Sequence, residues 1–206
     1  QALLEADDRS DVNVLILAGA GRDFCAGYDL QGAYGGKPQD AAGYDISQYR
    51  SANATFDDDV WALARTLEKR MRLFDLHKPI IARVQGNCLA GGTDLAFLCD
   101  LIIAAEDARI GFPASRANGT PPTQMWLYHL GPQWSKRLLF TGDSLSGSDA
   151  AKLGLVLDAY PAEKLDAEVQ ALATRISHVD SELLAAHKRA VNLGLELMGA
   201  RTLQRM

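Results

Sequence analysis

The sequence predicts an α/β fold with parallel strand pairing. Three observations carry that expectation: short apolar runs rich in β-branched residues, helical periodicities that alternate with them, and glycine-rich turns at the junctions. The 206 residues suit one good-sized domain with a small appendage.

Taken in order, the stretch Gln1-Ala-Leu-Leu-Glu-Ala-Asp7 reads as the tail of an amphipathic helix with no start signal before it. Asn13-Val-Leu-Ile-Leu-Ala18 is a buried strand ending in glycines. Residues 32–56 are polar, Gly/Tyr-rich and without periodicity, so they read as a long loop, a length often tied to function. From about Asp57 to Leu76, the spacing of Val60, Leu63, Ala64, Leu67, Met71, Leu73 and Phe74 predicts a helix, with acidic residues at its start. Lys78-Pro79 breaks it. Ile80–Val84 is the next strand, and Leu101–Ala105 follows after a short helix. Arg109-Ile-Gly-Phe112 begins a further strand. After a loop around Gly119-Thr-Pro-Pro122 the chain turns mostly helical, interrupted by a short strand over 154–160. Amphipathic helices at about 162–177 and 181–198 close it. The chain stops inside a helical pattern, and both ends read as trimmed relative to the natural protein.

Composition narrows the function. Lys and Arg number 21 against 26 Asp and Glu, a formal charge of −5, which argues against sequence-independent nucleic-acid binding. No apolar run reaches membrane-spanning length, and no signal-like segment opens the chain, so a cytoplasmic location is expected. Cys25, Cys88 and Cys99 lack metal-ligand spacing and read as reduced core thiols. His77, His129, His178 and His187 form no i, i+4 pair, so no metal is expected.

Two glycine turns hold the chemistry. Gly19-Ala-Gly-Arg-Asp-Phe-Cys-Ala-Gly-Tyr-Asp-Leu30 follows a strand but fails as a dinucleotide fingerprint, because Phe24 stands where the third glycine belongs and no helix follows. In Gly86-Asn-Cys-Leu-Ala-Gly-Gly-Thr-Asp-Leu-Ala-Phe-Leu-Cys-Asp100, Gly91 and Gly92 sit where a helix begins, and its first N–H groups can face a developing oxyanion. Asp94 falls in that first turn. Taken alone, it reads as well as a plain cap, and the glycines as plain turns.

The combination resembles the enoyl-CoA hydratase/isomerase (crotonase) family. Its two signature regions are matched in order by Phe24–Leu30 and Gly86–Asp100, with Lys78-Pro-Ile-Ile-Ala-Arg-Val-Gln-Gly86 between them. Ala104–Pro113, Leu138–Asp143 and Ala150-x3-Gly-Leu-Val156 continue the match, which covers roughly residues 10–195. The resemblance implies a crotonase-like spiral of ββα turns over residues 1–140, its N-terminal part missing. It also implies a mainly helical, oligomerising region over 141–206, and assembly as a homotrimer or dimer of trimers. By the same resemblance the substrate is an acyl-CoA thioester, with no cofactor beyond the coenzyme A it carries. The N–H groups of Tyr28 and Gly91 would be the oxyanion donors and Asp94 the acid–base group. Cys25, Ala26, Gly27, Asp29, Leu30, Ala90, Gly92, Pro113, Ser115, Arg116 and Trp126 would line the substrate.

The pattern also departs from the family. The first of the two hydratase glutamates falls on Asp94, and the second position reads Ala114-Ser-Arg116, while another carboxylate position reads Thr123. One carboxylate beside an oxyanion hole supports proton abstraction, double-bond migration, or water delivery with Ser115 as helper. Enoyl-CoA hydration is therefore the leading expectation. The alternatives are an isomerase, a CoA-ester hydrolase or decarboxylase, or a catalytically weak acyl-CoA binder. Of the remaining polar candidates, Lys188 reads as a solvated lysine or a contact for a CoA phosphate, and Tyr128 as core or tunnel lining.

Overall fold

The structure, a computed structural model, describes residues 2–27, 56–117, 119, 121 and 125–203, with side chains of its second helix described from residue 64. Its strands are β1 (Leu15–Ala18), β2 (Ile80–Val84), β3 (Asn87–Leu89), β4 (Leu101–Ala105), β5 (Arg109–Gly111), β6 (Ser144–Ser146) and β7 (Asp158–Tyr160). The helices are α1 (Ala2–Asp8), α2 (Phe56–Asp75), α3 (Gly91–Ala96), α4 (Met125–Thr141), α5 (Gly147–Lys152), α6 (Ala162–Ser177), α7 (Ser181–Leu197) and α8 (Ala200–Leu203).

One sheet runs β1-β2-β4-β7, all parallel, and a second runs β3-β5-β6. Leu15 pairs with Ile80, Ile81 with Leu101, and Ile103 with Asp158. Each turn gives its first strand to one sheet and its second to the other: β2-β3-α3, then β4-β5 and, after a 3₁₀ turn at Pro113–Ala117, α4. This is the ββα spiral that the family resemblance implied. Central β2 is covered on both faces, which is why it reads as an almost unbroken apolar run: Ile80, Ile81, Ala82 and Val84 have no exposed surface. The same core continues from Leu15 through Phe97 and Trp126 to Leu165 and Val169. α6 therefore packs on the sheet through Leu165 and Val169.

The expected helices at about 162–177 and 181–198 are α6 and α7. Asp180 caps α7 by accepting from the N–H groups of Glu182 and Leu183. The expected strand at 154–160 is shorter. Gly154 turns the chain with φ +76, and the N–H groups of Leu155 and Val156 return to the Ala150 carbonyl, so those two buried residues close α5 instead of joining the sheet. Pairing begins only at Asp158. β3 and β6, of three residues each, carry no periodicity of their own and escaped the sequence reading. Within α4, Gly131 adopts φ 69 and ψ 176 ahead of Pro132, so two helical pieces meet at a kink. The loop read over 32–56 lies outside the described residues up to residue 55; α2 begins at Phe56.

Lys188 corrects the sequence reading. Its side chain is 5% exposed, and its ammonium donates to Asp100 Oδ2 at 2.8 Å and to the Lys78 carbonyl at 3.1 Å. Asp100 Oδ2 also accepts from the Ile80 N–H. An amphipathic pattern places this lysine on α7; only packing shows that it is the bolt holding α7 to the start of β2. A bolt so placed is not available to a CoA phosphate.

Candidate functional site

The site is built where the chain passes twice through the β2–β3 corner. Asp23 Oδ1 accepts from both the backbone N–H and the side-chain amide of Asn87, each at 2.8 Å. The Asn87 N–H, first among the causes, holds the Asp23 carboxyl below the usual carboxylate range. Gln85 Nε2 donates to the carbonyls of Gly19 and Gly21. Thus tied, residues 24 and 25 run alongside 85–89: Phe24 N–H donates to Gln85 O, Cys25 N–H to Asn87 O, and Leu89 N–H to Cys25 O.

Two glycines permit the close approach that follows. A Cβ on Gly92 would stand 2.5 Å from the Cys25 carbonyl oxygen, and Gly27 adopts φ +109 with its Cβ position 3.1 Å from the Ala90 methyl. The turn at 25–27 is thereby pressed against the first residues of α3. The Cβ position of Gly27 is 3.8 Å from the Gly91 nitrogen. Tyr28, Asp29 and Leu30 come next in the chain and lie outside the described residues, as does Thr123. Of the two expected oxyanion donors, the described residues therefore place Gly91.

α3 begins on an unusual backbone. Ala90 has φ 48 and ψ −115, the single positive φ at a non-glycine residue among those described. Its N–H donates to the Gly111 carbonyl at 3.0 Å, and its own carbonyl accepts from the N–H groups of Thr93 and Asp94. The N–H groups of Gly91 and Gly92 meet no acceptor among the described residues, which leaves two donors at the positive end of the turn.

Asp94 points from that first turn and has no exposed surface. Arg70 of α2 brings a guanidinium nitrogen to 3.8 Å from Asp94 Oδ2, with its own side chain 14% exposed. The sequence reading missed Arg70. Within Lys69-Arg70-Met71-Arg72 nothing distinguishes it from its charged neighbours; only the packing of α2 on α3 does.

The cysteines are core groups. Burial, with Cys25, Cys99 and Asp94 adding in the same direction, pushes the Cys88 thiol far up, and burial pushes Cys99 up to about 12. Neither is a thiolate at neutral pH, in keeping with core thiols. His129 is half-buried, with its ring near Phe97 and its Nε2 3.1 Å from the Phe97 carbonyl, and desolvation lowers its pKa.

Other expected substrate contacts have structural partners. Arg116 donates from Nε to the Thr141 carbonyl at 2.7 Å and from Nη2 to Asp143 Oδ1 at 2.6 Å, bracing the end of α4. This bracket leaves the Arg116 side chain 61% exposed. Trp126 has no exposed surface and meets Phe97 edge-on at 4.7 Å. It packs within the core cluster. Tyr128 donates its hydroxyl to the Met198 carbonyl. Pro113, Ala114 and Ser115 lie half-buried on the 3₁₀ turn.

Comparison with known proteins identifies the family and the fold. The profile of the enoyl-CoA hydratase/isomerase family matches residues 40–205. An enoyl-CoA hydratase from Mycobacterium smegmatis superposes with a TM-score of 0.85 at 35% identity, covering 98% of this chain and 69% of that one. An enoyl-CoA hydratase/isomerase from Xanthobacter autotrophicus Py2 gives 0.83 at 31%, covering 98% and 71%. The crotonyl-CoA hydratase of Syntrophomonas wolfei is 35% identical over 159 residues, 75% of this chain and 60% of its own length. The chain spans 60% to 69% of the length of the curated relatives it matches.

Proposed function

We propose that this chain, which belongs to the enoyl-CoA hydratase/isomerase family, adds water to a 2-enoyl-CoA thioester, with Asp94 moving the proton and a backbone oxyanion hole holding the thioester oxygen. The observation that carries the reading is a fully buried carboxylate three residues after Gly91, whose N–H has no acceptor among the described residues.

Attack of water on the β-carbon of the enoyl group moves charge onto the thioester oxygen, which becomes an enolate. Donors set in advance at that position bind the enolate more strongly than the ground-state carbonyl, so they lower the barrier. Each such donor is typically worth about 3 kcal/mol. Gly91 supplies one, and Tyr28, next in chain after the Gly27 turn, is the proposed second. Asp94 takes a proton from the attacking water, and that proton is then returned to the α-carbon; hydrogen and hydroxyl have then been added across the double bond and the carboxylate is restored. Water exclusion strengthens both effects. Cys25, Ala26 and Gly27, with Asp29 and Leu30 further along the chain, are assigned to the coenzyme A portion, and Ala90, Gly92, Pro113 and Ser115 to the acyl side. No cofactor beyond that coenzyme A is needed.

A second reading is double-bond migration, which the lone carboxylate favours. Ala114 stands where a second acidic group would serve hydration, whereas migration needs one group to remove and return a single proton.

The protein works as a homotrimer or dimer of trimers in the cytoplasm. Exposed Val191, Leu197 and Met198 at the end of α7 support self-association. Among the described residues no helix is long and apolar enough to cross a membrane.

The test follows loss of the enoyl-thioester absorbance with a short-chain 2-enoyl-CoA, for the parent protein and Asp94→Asn. Turnover that falls by about 10²–10⁴-fold in the variant supports Asp94 as the acid–base group. Tight CoA-ester binding without turnover in the parent would sink hydration of that substrate and transfer the reading to isomerisation.

A further inference from the structure

Thr93 lies between the two functional groups and the proposed chemistry leaves it without a role. It has no exposed surface, and its hydroxyl donates to the Ala90 carbonyl at 2.7 Å. A buried threonine bonding back to a carbonyl three residues earlier is common in helices, where it merely satisfies the hydroxyl. The identity of this carbonyl is what separates Thr93 from that case.

The Ala90 carbonyl and the Gly91 N–H belong to one planar trans peptide, so they point in opposite directions. Whatever fixes the carbonyl fixes the oxyanion donor. Three donors converge on that oxygen: the Thr93 hydroxyl at 2.7 Å, the Thr93 N–H at 3.0 Å and the Asp94 N–H at 3.4 Å. The hydroxyl is the shortest of the three.

The peptide also needs holding. Ala90 sits at φ 48 and ψ −115, a region that an L residue leaves when it can. Rotating the Ala90–Gly91 plane changes ψ of residue 90 and φ of residue 91. The first change relieves strain, and glycine places no Cβ in the way of the second. On the other side, the Ala90 N–H is tied to the Gly111 carbonyl at 3.0 Å, which anchors the residue there.

We propose that Thr93 is a positioning residue whose hydroxyl locks the Ala90–Gly91 peptide, holding the Gly91 N–H toward the thioester oxygen and polarising it as a donor. The inference rests on the reading of Gly91 as an oxyanion donor. Hydrogen-bonded chains reinforce one another, so a carbonyl that accepts three bonds makes the N–H of its own peptide a better donor.

The test compares Thr93→Val, which keeps the branched shape without the hydroxyl, with Thr93→Ser, which keeps the hydroxyl. Thr93→Ala serves as a second hydroxyl-free variant should the valine not fold. Turnover is read with a short-chain 2-enoyl-CoA. The carbonyl stretching frequency of bound butyryl-CoA is read by infrared difference spectroscopy, a signal that a purely structural role would not move. In Thr93→Val, kcat falls about tenfold, as expected for one lost hydrogen bond acting on the transition state, while KM stays within about twofold. The downward shift of the thioester carbonyl frequency shrinks in the same variant, and Thr93→Ser restores both.

Equal kcat and equal carbonyl shift in parent and hydroxyl-free variants would overturn the proposal, as would a Thr93→Ser variant impaired as deeply as Thr93→Val. A parent that binds butyryl-CoA without any carbonyl shift overturns it too. A parent that shifts the carbonyl but does not hydrate, with the shift lost in Thr93→Val, upholds Thr93 and refutes hydration alone.

Discussion

Replacing Lys188 with methionine isolates the energetics of the bolt between α7 and the sheet. Methionine keeps nearly the same length and volume, so the loss is electrostatic rather than steric. The parent ammonium lies 2.8 Å from Asp100 Oδ2 and 3.1 Å from the Lys78 carbonyl, with side-chain exposures of 5% for Lys188 and 22% for Asp100. Removing one partner of a buried pair costs about 3–5 kcal/mol, because the other charge stays desolvated. Asp100 retains the Ile80 N–H and some contact with water, which reduces the expectation to about 2–3 kcal/mol.

The pH dependence of that loss is also determined. Burial raises the Asp100 pKa above the ordinary 3.8, against the lowering influence of Lys188 and the Ile80 N–H. A carboxyl whose folded value is raised contributes stability that is full below 3.8 and is lost as the pH climbs through the folded value. Without Lys188 the folded value rises further, and that loss grows. The deficit of Lys188→Met is therefore largest near neutrality and shrinks as the pH falls toward 3.8. Urea denaturation followed by circular dichroism at neutral and acid pH measures it. A difference below about 0.5 kcal/mol at neutral pH, or one that widens in acid, refutes the reasoning. Adding Asp100→Asn to the lysine variant should recover much of the loss, since a neutral amide needs no counter-charge.

Other expectations follow from single contacts. Gly92→Ala places a Cβ 2.5 Å from the Cys25 carbonyl and must push the turn away from α3; turnover should fall by about 10²-fold, the cost of a misplacement near 1 Å, as steady-state kinetics would show. Arg116→Ala removes an exposed bracket, so stability should change by less than about 1 kcal/mol and KM should not move; a rise in KM would return Arg116 to the substrate. Cys88 and Cys99 should resist thiol reagents in the folded protein at neutral pH and react on adding urea, because burial raises both pKa values; a colorimetric thiol titration decides.

Much of this molecule was legible in one dimension. β2 and β4 announce themselves as apolar runs because sheet packing covers both their faces, and α6 and α7 by their periodicity. The paired glycines and the aspartate of Gly91-Gly-Thr-Asp94 mark the start of α3, although what Gly92 makes room for is the Cys25 carbonyl, distant in the chain. The short strands were not legible. β3 consists of three residues whose pairing partners are Cys25 and β5, far off in sequence, so no local pattern records it.

Charged residues divide in the same way. A charge on a helix reads as solvated until its surroundings are known, and for Lys188, Arg70 and Arg116 the surroundings are elements distant in the chain: Asp100, Asp94 and the Thr141–Asp143 corner. The strain at Ala90 belongs to the same class. Alanine gives no warning of a positive φ, and the bonds that hold the conformation come from Gly111 and Thr93. Sequence alone determined the longer strands, the main helices and the place of the carboxylate, because these depend on neighbours along the chain. Tertiary structure decided which charges are buried and which peptide is strained, because those depend on neighbours in space.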